Sequence, residues 1–181
     1  DKQLDKWIAL DGDPDSAAAE ADLVAAAKRF GARCLRNTGD LLAHVDTASV
    51  VRDLDVLRGA LREPRLNFLG FSYGSRIGAL YAEDFGPTTG RMVLDGILAP
   101  QLSADEVGLG QAKGFDDALR RYVEDCQKSS DCPVAADSVA DGVALVQDFL
   151  ADLETTPLPT DSDQELNQSL GLGAVLYNLY F

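Results

Sequence analysis

The chain has 181 residues, which is enough for one domain with a substantial core. Its formal net charge of −14 at pH 7 argues against nucleic acid and anionic membrane surfaces as partners. It would suit a cationic ligand such as a peptide with a free amino terminus, although an acidic solvated surface is the simpler interpretation. No apolar run is long enough to span a membrane, and the first residues do not have the pattern of a signal peptide, so we expect a mature or excised piece of a protein.

Helical spacing of apolar residues dominates the first third of the chain. It predicts three helices, over residues 2–10, 17–35 and 47–62. Ser16 and Thr47 are placed to cap the second and the third of these helices. A short apolar run then follows, which has the composition of a strand.

The most informative stretch is a Gly-x-Ser-x-Gly motif centred on Ser72. The apolar run 66–69 leads into it, and a helical pattern begins directly after it. This is the context of a nucleophile elbow, in which the chain reverses from strand to helix and holds the serine in a strained backbone conformation. We expect Gly70 and Gly74 to be needed because the two arms approach each other closely. The alternative is a tight turn without chemistry.

The residues after the motif extend this pattern. Gly74, Gly78 and Ala82 recur at helical spacing, which predicts a small-residue stripe that lets the helix pack closely on strands. Residues 92–94 are a second strand candidate. Strand, elbow, helix and strand together predict an α/β protein with a partial α/β-hydrolase fold.

Beyond residue 100 the chain is predicted to be helical, with helices over residues 104–126, 138–153 and 163–180. A helical block that follows a strand of an α/β sheet is typical of a lid. We therefore assign residues 1–100 to part of the hydrolase core and residues 101–181 to an incomplete helical lid. A separate small helical domain is the alternative.

A serine nucleophile needs a general base and an acid. The only histidine, His44, precedes Ser72, whereas α/β-hydrolases place the acid and then the histidine after the serine, so we interpret His44 as structural. Asp95 could be the acid of a variant triad or could fix a turn. The backbone amide of Tyr73 supplies half an oxyanion hole. These gaps predict the middle of a larger enzyme.

Three cysteines bear on the redox compartment. Cys126 and Cys132 bracket a short polar loop, and we predict a disulfide between them, which implies export; reduced thiols in a cytosolic loop are the alternative. Cys34 is left over. One histidine argues against zinc, and residues 11–16 lack the spacing of a calcium loop, so we expect no metal and no cofactor.

Several segments are similar to the secreted tripeptidyl aminopeptidases of actinobacteria, which are α/β-hydrolases related to proline iminopeptidases. They are residues 37–42 (NTGDLL), 66–74 (LNFLGFSYG) and 90–96 (GRMVLDG). Residues 125–126 (DC) and 131–133 (DCP) fit the same pattern. The resemblance is dense from about residue 34 to residue 100 and thin beyond residue 133.

The resemblance implies an exported Ser-Asp-His peptidase that removes short peptides from free amino termini. Ser72 would be the nucleophile, and the Tyr73 amide would be one oxyanion donor. The second donor, from an upstream His-Gly-Gly-type loop, and the catalytic Asp and His, downstream of the lid, would lie in the remainder of the parent chain. Cys34 would pair with an upstream cysteine, lid carboxylates would hold the substrate amine, and the piece alone would be inactive.

Two other functions stay open at this point. One is a non-catalytic, hydrolase-like module that binds peptides or partners through its helical block. The other is an esterase or thioesterase on the same scaffold.

Overall fold

The computed structural model describes the backbone of residues 2–180 and the side chains of residues 4–180. Within that range the chain forms helices and two strands, in the order α1 (Lys2–Ile8), α2 (Ala17–Thr38), α3 (Thr47–Ala60), β1 (Leu66–Phe71), α4 (Tyr73–Asp84), β2 (Thr89–Asp95), α5 (Ala104–Cys126), α6 (Val139–Thr155) and α7 (Gln168–Tyr180). Short 3-10 helices precede α3 and β2, at Gly39–His44 and Gly86–Thr88. None of the helices in this range combines the length and the apolar composition that crossing a bilayer requires.

The two strands lie side by side and parallel, so that Leu69 is paired with Val93 and Phe71 with Asp95. Helix α4 connects them and packs on one face of the pair. It comes close because Gly78 has no side chain: a Cβ there would lie 2.6 Å from the Leu94 side chain. The order strand, elbow, helix and parallel strand confirms the predicted α/β organisation.

The other face of the strand pair carries exposed apolar side chains. Leu69 is 58% exposed, Phe71 62% and Val93 60%. Parallel sheets in proteins are normally covered on both faces. These side chains therefore form an exposed apolar patch on the strand pair.

A partly buried polar cluster joins α3 to the end of α4. The hydroxyl of Tyr81, which is fully buried, donates to the Asp55 carboxylate at 2.9 Å. The same carboxylate oxygen accepts from Arg58 Nε at 2.8 Å and from the Thr88 hydroxyl at 3.3 Å. One side chain of α3 thus fixes the carboxyl-terminal half of α4, and we call these four residues the Asp55 cluster.

The chain divides into two compact units, which we describe separately. Residues 31–109 form one unit, which contains α3, β1, α4 and β2. Residues 1–30 and 110–181 form the other unit, which is helical. The predicted division at residue 100 between hydrolase core and lid stays a prediction.

Two observations define the helical unit. A disulfide joins Cys126 to Cys132 across the polar loop that follows α5, as expected. The carbonyl oxygens at the end of α1 accept hydrogen bonds from side chains near the start of α7: Gln164 donates to residue 5, Asn167 to residue 9 and Ser169 to residue 10. Cys34 is not in a disulfide with any described residue.

The predicted N-cap of α3, Thr47, is wrong by one residue. Asp46, in an extended conformation, is the N-cap of α3, and its carboxylate accepts from the Ser49 amide at 3.0 Å. Thr47 is therefore the first residue of the helix rather than its cap, and its hydroxyl is free for another contact. The other predicted cap, Ser16, is confirmed by its bond to the Ala19 amide.

The last predicted helix also begins later than expected, at Gln168 instead of residue 163. Leu158 and Leu166 exchange two backbone hydrogen bonds, of 3.0 and 2.8 Å. This antiparallel bridge uses the backbone groups that a longer helix would need, so the segment between the two leucines is a turn.

Candidate active site

Ser72 lies between the last residue of β1 and the first residue of α4, at the point where the chain reverses. Its backbone angles are φ +52° and ψ −120°. Among the described non-glycine residues only Arg62 shares a positive φ. Such a conformation costs a serine on the order of 1–3 kcal/mol and persists only where the surroundings hold it. This is the strained elbow that the sequence predicts.

Hydrogen bonds hold both peptide groups that flank Ser72. Its N–H donates to the carbonyl of Asp95, at the end of β2, at 2.8 Å. Its carbonyl accepts from the Ser75 amide at 2.9 Å and from the Ser75 hydroxyl at 2.6 Å. The Ser72 side chain itself is exposed and makes no hydrogen bond with the residues that the structure describes. The hydroxyl thus stands clear of both the sheet and the helix.

The two glycines of the motif are not equivalent. A Cβ at Gly70 would lie 2.4 Å from the carbonyl oxygen of Gly74, so that position accepts only glycine. A Cβ at Gly74 would meet nothing within 4 Å. The expectation that close approach requires both glycines therefore holds for Gly70 alone. Of the predicted small-residue stripe, only Gly78 is buried; the buried residues of α4 are Ser75, Gly78 and Tyr81, which are spaced by three.

Tyr73 follows the nucleophile candidate and opens α4, so its backbone amide lies at the positive end of the helix dipole. An amide in this position can stabilise an oxyanion that forms on a substrate bound to Ser72. The Tyr73 side chain is half exposed, and its hydroxyl forms a hydrogen bond with the hydroxyl of Thr47 at the start of α3. Thr47, freed from capping, thus fixes the side chain of the oxyanion-donor candidate.

The other candidates from the sequence are placed differently. Asp95 ends β2 with an exposed side chain, and it is its backbone carbonyl, rather than its carboxylate, that contacts the elbow. His44 ends a 3-10 helix and is exposed. Neither side chain makes a hydrogen bond to Ser72. Within residues 2–180 the structure therefore gives Ser72 no partner that could act as its general base.

Sequence reasoning missed two residues of the elbow, Thr47 as the partner of Tyr73 and Ser75 as the partner of Ser72. A serine in a helix usually faces solvent, but Ser75 precedes Gly78 by three residues and Tyr81 by six. Since Gly78 was already expected to face the strands, that spacing could have placed Ser75 on the same buried face.

No group of three or more His, Cys, Asp or Glu side chains among the described residues is arranged to hold a metal ion. A shallow depression lies near the amino-terminal end of β1, lined by residues that include Leu57, Leu61 and Asn67. The elbow is at the opposite end of this strand, so the depression is not part of the candidate active site.

Comparison with known families agrees with this geometry. A family model described as the alpha/beta hydrolase fold matches residues 22–169, which is most of the chain. The chain belongs to the α/β-hydrolase fold family. The matched range of this α/β-hydrolase includes the elbow, both strands and α5 and α6.

Individual relatives support the resemblance to a peptidase family. This α/β-hydrolase is 42% identical over 142 residues to a protein named serine protease Hip1 from Mycobacterium tuberculosis, across 72% of this chain and 27% of that protein. It is 36% identical over 122 residues to the tripeptidyl aminopeptidase of Streptomyces lividans, across 67% of this chain and 22% of that enzyme. It is also 42% identical over 106 residues to a protein named carboxylesterase B from Mycobacterium tuberculosis, across 58% of this chain and 20% of that protein. The α/β-hydrolase described here thus spans about a quarter of the length of the curated relatives it matches.

Proposed function

We propose that this chain carries the nucleophile, and one of two oxyanion donors, of an exported serine peptidase that removes short peptides from free amino termini. Ser72 is the nucleophile, and the Tyr73 amide is the donor. The observation that carries the proposal is the Ser72 backbone at φ +52°, held from both sides at a strand-to-helix reversal, with a hydroxyl that forms no hydrogen bond in the described chain.

In this proposal the catalytic Asp and His, and the second oxyanion donor, are supplied by polypeptide outside these 181 residues. Two observations support this division. The described residues give Ser72 no general base. The apolar face around Leu69, Phe71 and Val93 also fits a sheet whose second layer comes from additional chain.

A cationic substrate amine is supported by the charge of the helical unit. Residues 129–181 contain nine Asp or Glu and no Lys, Arg or His. A potential of this sign attracts a protonated amino terminus. The name tripeptidyl aminopeptidase, carried by the Streptomyces relative, supports the same substrate class. Export is supported by the Cys126–Cys132 disulfide, since such bonds persist in oxidising compartments.

A fluorophosphonate probe tests the nucleophile. Applied to the complete protein that contains this sequence, it should label Ser72, and Ser72→Ala should abolish both labelling and turnover. Ser75, three residues after Ser72, and Ser49, on α3, serve as internal controls, because peptide mapping should find no label on them. A folded complete protein that takes up no label would favour a non-catalytic binding module and would refute the proposal.

A carboxylesterase is the second candidate, and the relative named carboxylesterase B favours it. Three chromogenic substrates separate the two functions: a tripeptidyl amide, the same amide with its amino group acetylated, and a simple acyl ester. A peptidase that requires a free amino terminus should cleave the first far faster than the second. Comparable cleavage of the first two, or cleavage of the ester alone, would contradict the proposed function.

A further inference from the structure

Ser75 is the buried polar residue of the described chain, with a side chain that is fully inaccessible to solvent. Burying a hydroxyl costs free energy unless it is hydrogen-bonded. No step of the proposed reaction uses Ser75, so its burial next to the elbow needs a physical reason.

The hydroxyl of Ser75 forms hydrogen bonds on two sides. It donates to the carbonyl of Ser72 at 2.6 Å, and it accepts from the backbone N–H of Leu98 at 2.9 Å. A second acceptor, the Gly96 carbonyl, is farther away at 3.4 Å. A hydroxyl has one proton, so the short bond to Ser72 takes it. Ser75 therefore joins the nucleophile to the segment that follows β2.

We call that segment, residues 96–103 between β2 and α5, the β2–α5 loop. Besides Ser75, Arg76 contacts it through the carbonyl of Ala99 at 3.5 Å. The loop begins at Gly96, whose φ is +63° and where a Cβ would be 3.6 Å from the Ser72 nitrogen. The start of the loop thus lies directly against the elbow.

We infer that Ser75 is a positioning residue for the nucleophile, and that it makes the orientation of the Ser72 hydroxyl depend on the β2–α5 loop. The Cα–Cβ direction of Ser72 is set by the two peptide groups on either side of its Cα. Asp95 holds the first of these groups, and Ser75 holds the second. Removing the Ser75 hydroxyl loosens one of the two anchors and frees the loop at Leu98. The inference rests on Ser72 being the nucleophile, as proposed above.

The test compares two variants of the complete protein that each remove one buried hydroxyl from α4. Ser75→Ala removes the hydroxyl next to the elbow, and Tyr81→Phe removes the one at the other end of the helix, in the Asp55 cluster. We measure the fluorophosphonate labelling rate at Ser72, kcat and KM for a tripeptidyl amide, the melting temperature, and hydrogen exchange of the Leu98 amide.

Ser75→Ala should lower the labelling rate and kcat by about tenfold, because small misplacements of a reacting group are costly. KM should stay the same, and exchange at Leu98 should become faster. Tyr81→Phe should lower the melting temperature but leave the labelling rate and Leu98 exchange unchanged. If Ser75→Ala does not fold, Ser75→Cys fills the site with a slightly larger group that is a weaker donor, and an intermediate labelling rate is expected.

Full labelling rates in Ser75→Ala or Ser75→Cys, or an equal loss in Tyr81→Phe, would overturn the positioning role while leaving the proposed function intact. If Ser72 of the unaltered protein is not labelled at all, the proposed function fails and this inference fails with it. The two failures are therefore distinguishable.

Discussion

At the scale of single residues, the Gly-x-Ser-x-Gly motif does not use its two glycines in the same way. The space that a side chain at Gly70 would need is occupied by the backbone of Gly74, 2.4 Å away. Backbone atoms in a strand-to-helix reversal cannot move aside without moving the helix. The space next to Gly74 is open, and α4 does not need glycine at its second residue.

We therefore predict that Gly70→Ala lowers the free energy of unfolding by about 3 kcal/mol, as expected for overpacking against fixed atoms. Gly74→Ala is the matched control, and it should change the free energy of unfolding by less than about 0.5 kcal/mol. Chemical denaturation of the two variants measures both values. Equal effects of the two substitutions would show that the elbow is less constrained than its geometry implies.

At the scale of elements, the position of α4 on α3 depends on polar contacts at two places, Tyr73 with Thr47 at the start and the Asp55 cluster near the end. The hydrogen bond from Arg58 is the main reason that the pKa of Asp55 lies below its usual 3.8, and the bonds from Tyr81 and Thr88 act in the same direction. The folded protein therefore favours the ionised carboxylate.

The pH dependence of stability follows from the sign of this shift. Asp55 contributes its full stabilisation above the unfolded-state pKa, and loses it as the pH falls through the lower folded-state pKa, because the unfolded chain binds the proton first. We predict that the free energy of unfolding falls as the pH drops below about 4, and that Asp55→Asn makes this decline shallower. Asp53→Asn, which replaces an exposed carboxylate of the same helix, should leave the decline as it is. Parallel curves for the unaltered chain and Asp55→Asn would contradict the role of the cluster.

The sequence predicts the order of the elements around Ser72 but not the contacts between them. The order of elements around Ser72 followed from apolar periodicity and from one motif, because both are local. The Thr47–Tyr73 and Ser75–Leu98 contacts join residues 26 and 23 positions apart, and nothing in a single sequence indicates which distant partner a hydroxyl will bond. The cap of α3 was missed because Asp46 and Thr47 are both good caps, and only backbone geometry decides between them.

At the scale of the whole molecule, the net charge of −14 is unevenly distributed. The helical unit has twenty Asp or Glu against eight Lys or Arg, whereas the unit of residues 31–109 has ten against eight. Composition alone predicted an acidic solvated surface. The structure divides that charge between a strongly acidic helical unit and a nearly neutral unit that carries Ser72.

If the acidic unit attracts the substrate amine, binding must weaken as salt screens the charges. We predict that KM of the complete protein for a tripeptidyl amide rises several-fold between about 0.02 and about 0.5 M salt, where the screening length shortens severalfold. The value of kcat should change little. The labelling rate with an uncharged fluorophosphonate is the control and should not depend on salt. If KM also does not change with salt, the acidic surface has no part in attracting the substrate.

Helix α1 obtains its last hydrogen-bond partners from residues more than 150 positions later in the sequence. Gln164 and Asn167 are 159 and 158 positions beyond the carbonyl groups they bond. Residues 31–109, which include the strand pair and the elbow, are synthesised before Gln164 is added, so their local contacts can form before the α1 carbonyl groups have these partners. Helix α1 is thus synthesised before the elbow but completes these hydrogen bonds after it, and a nascent chain stalled before residue 164 would leave the carbonyl groups at the end of α1 facing water.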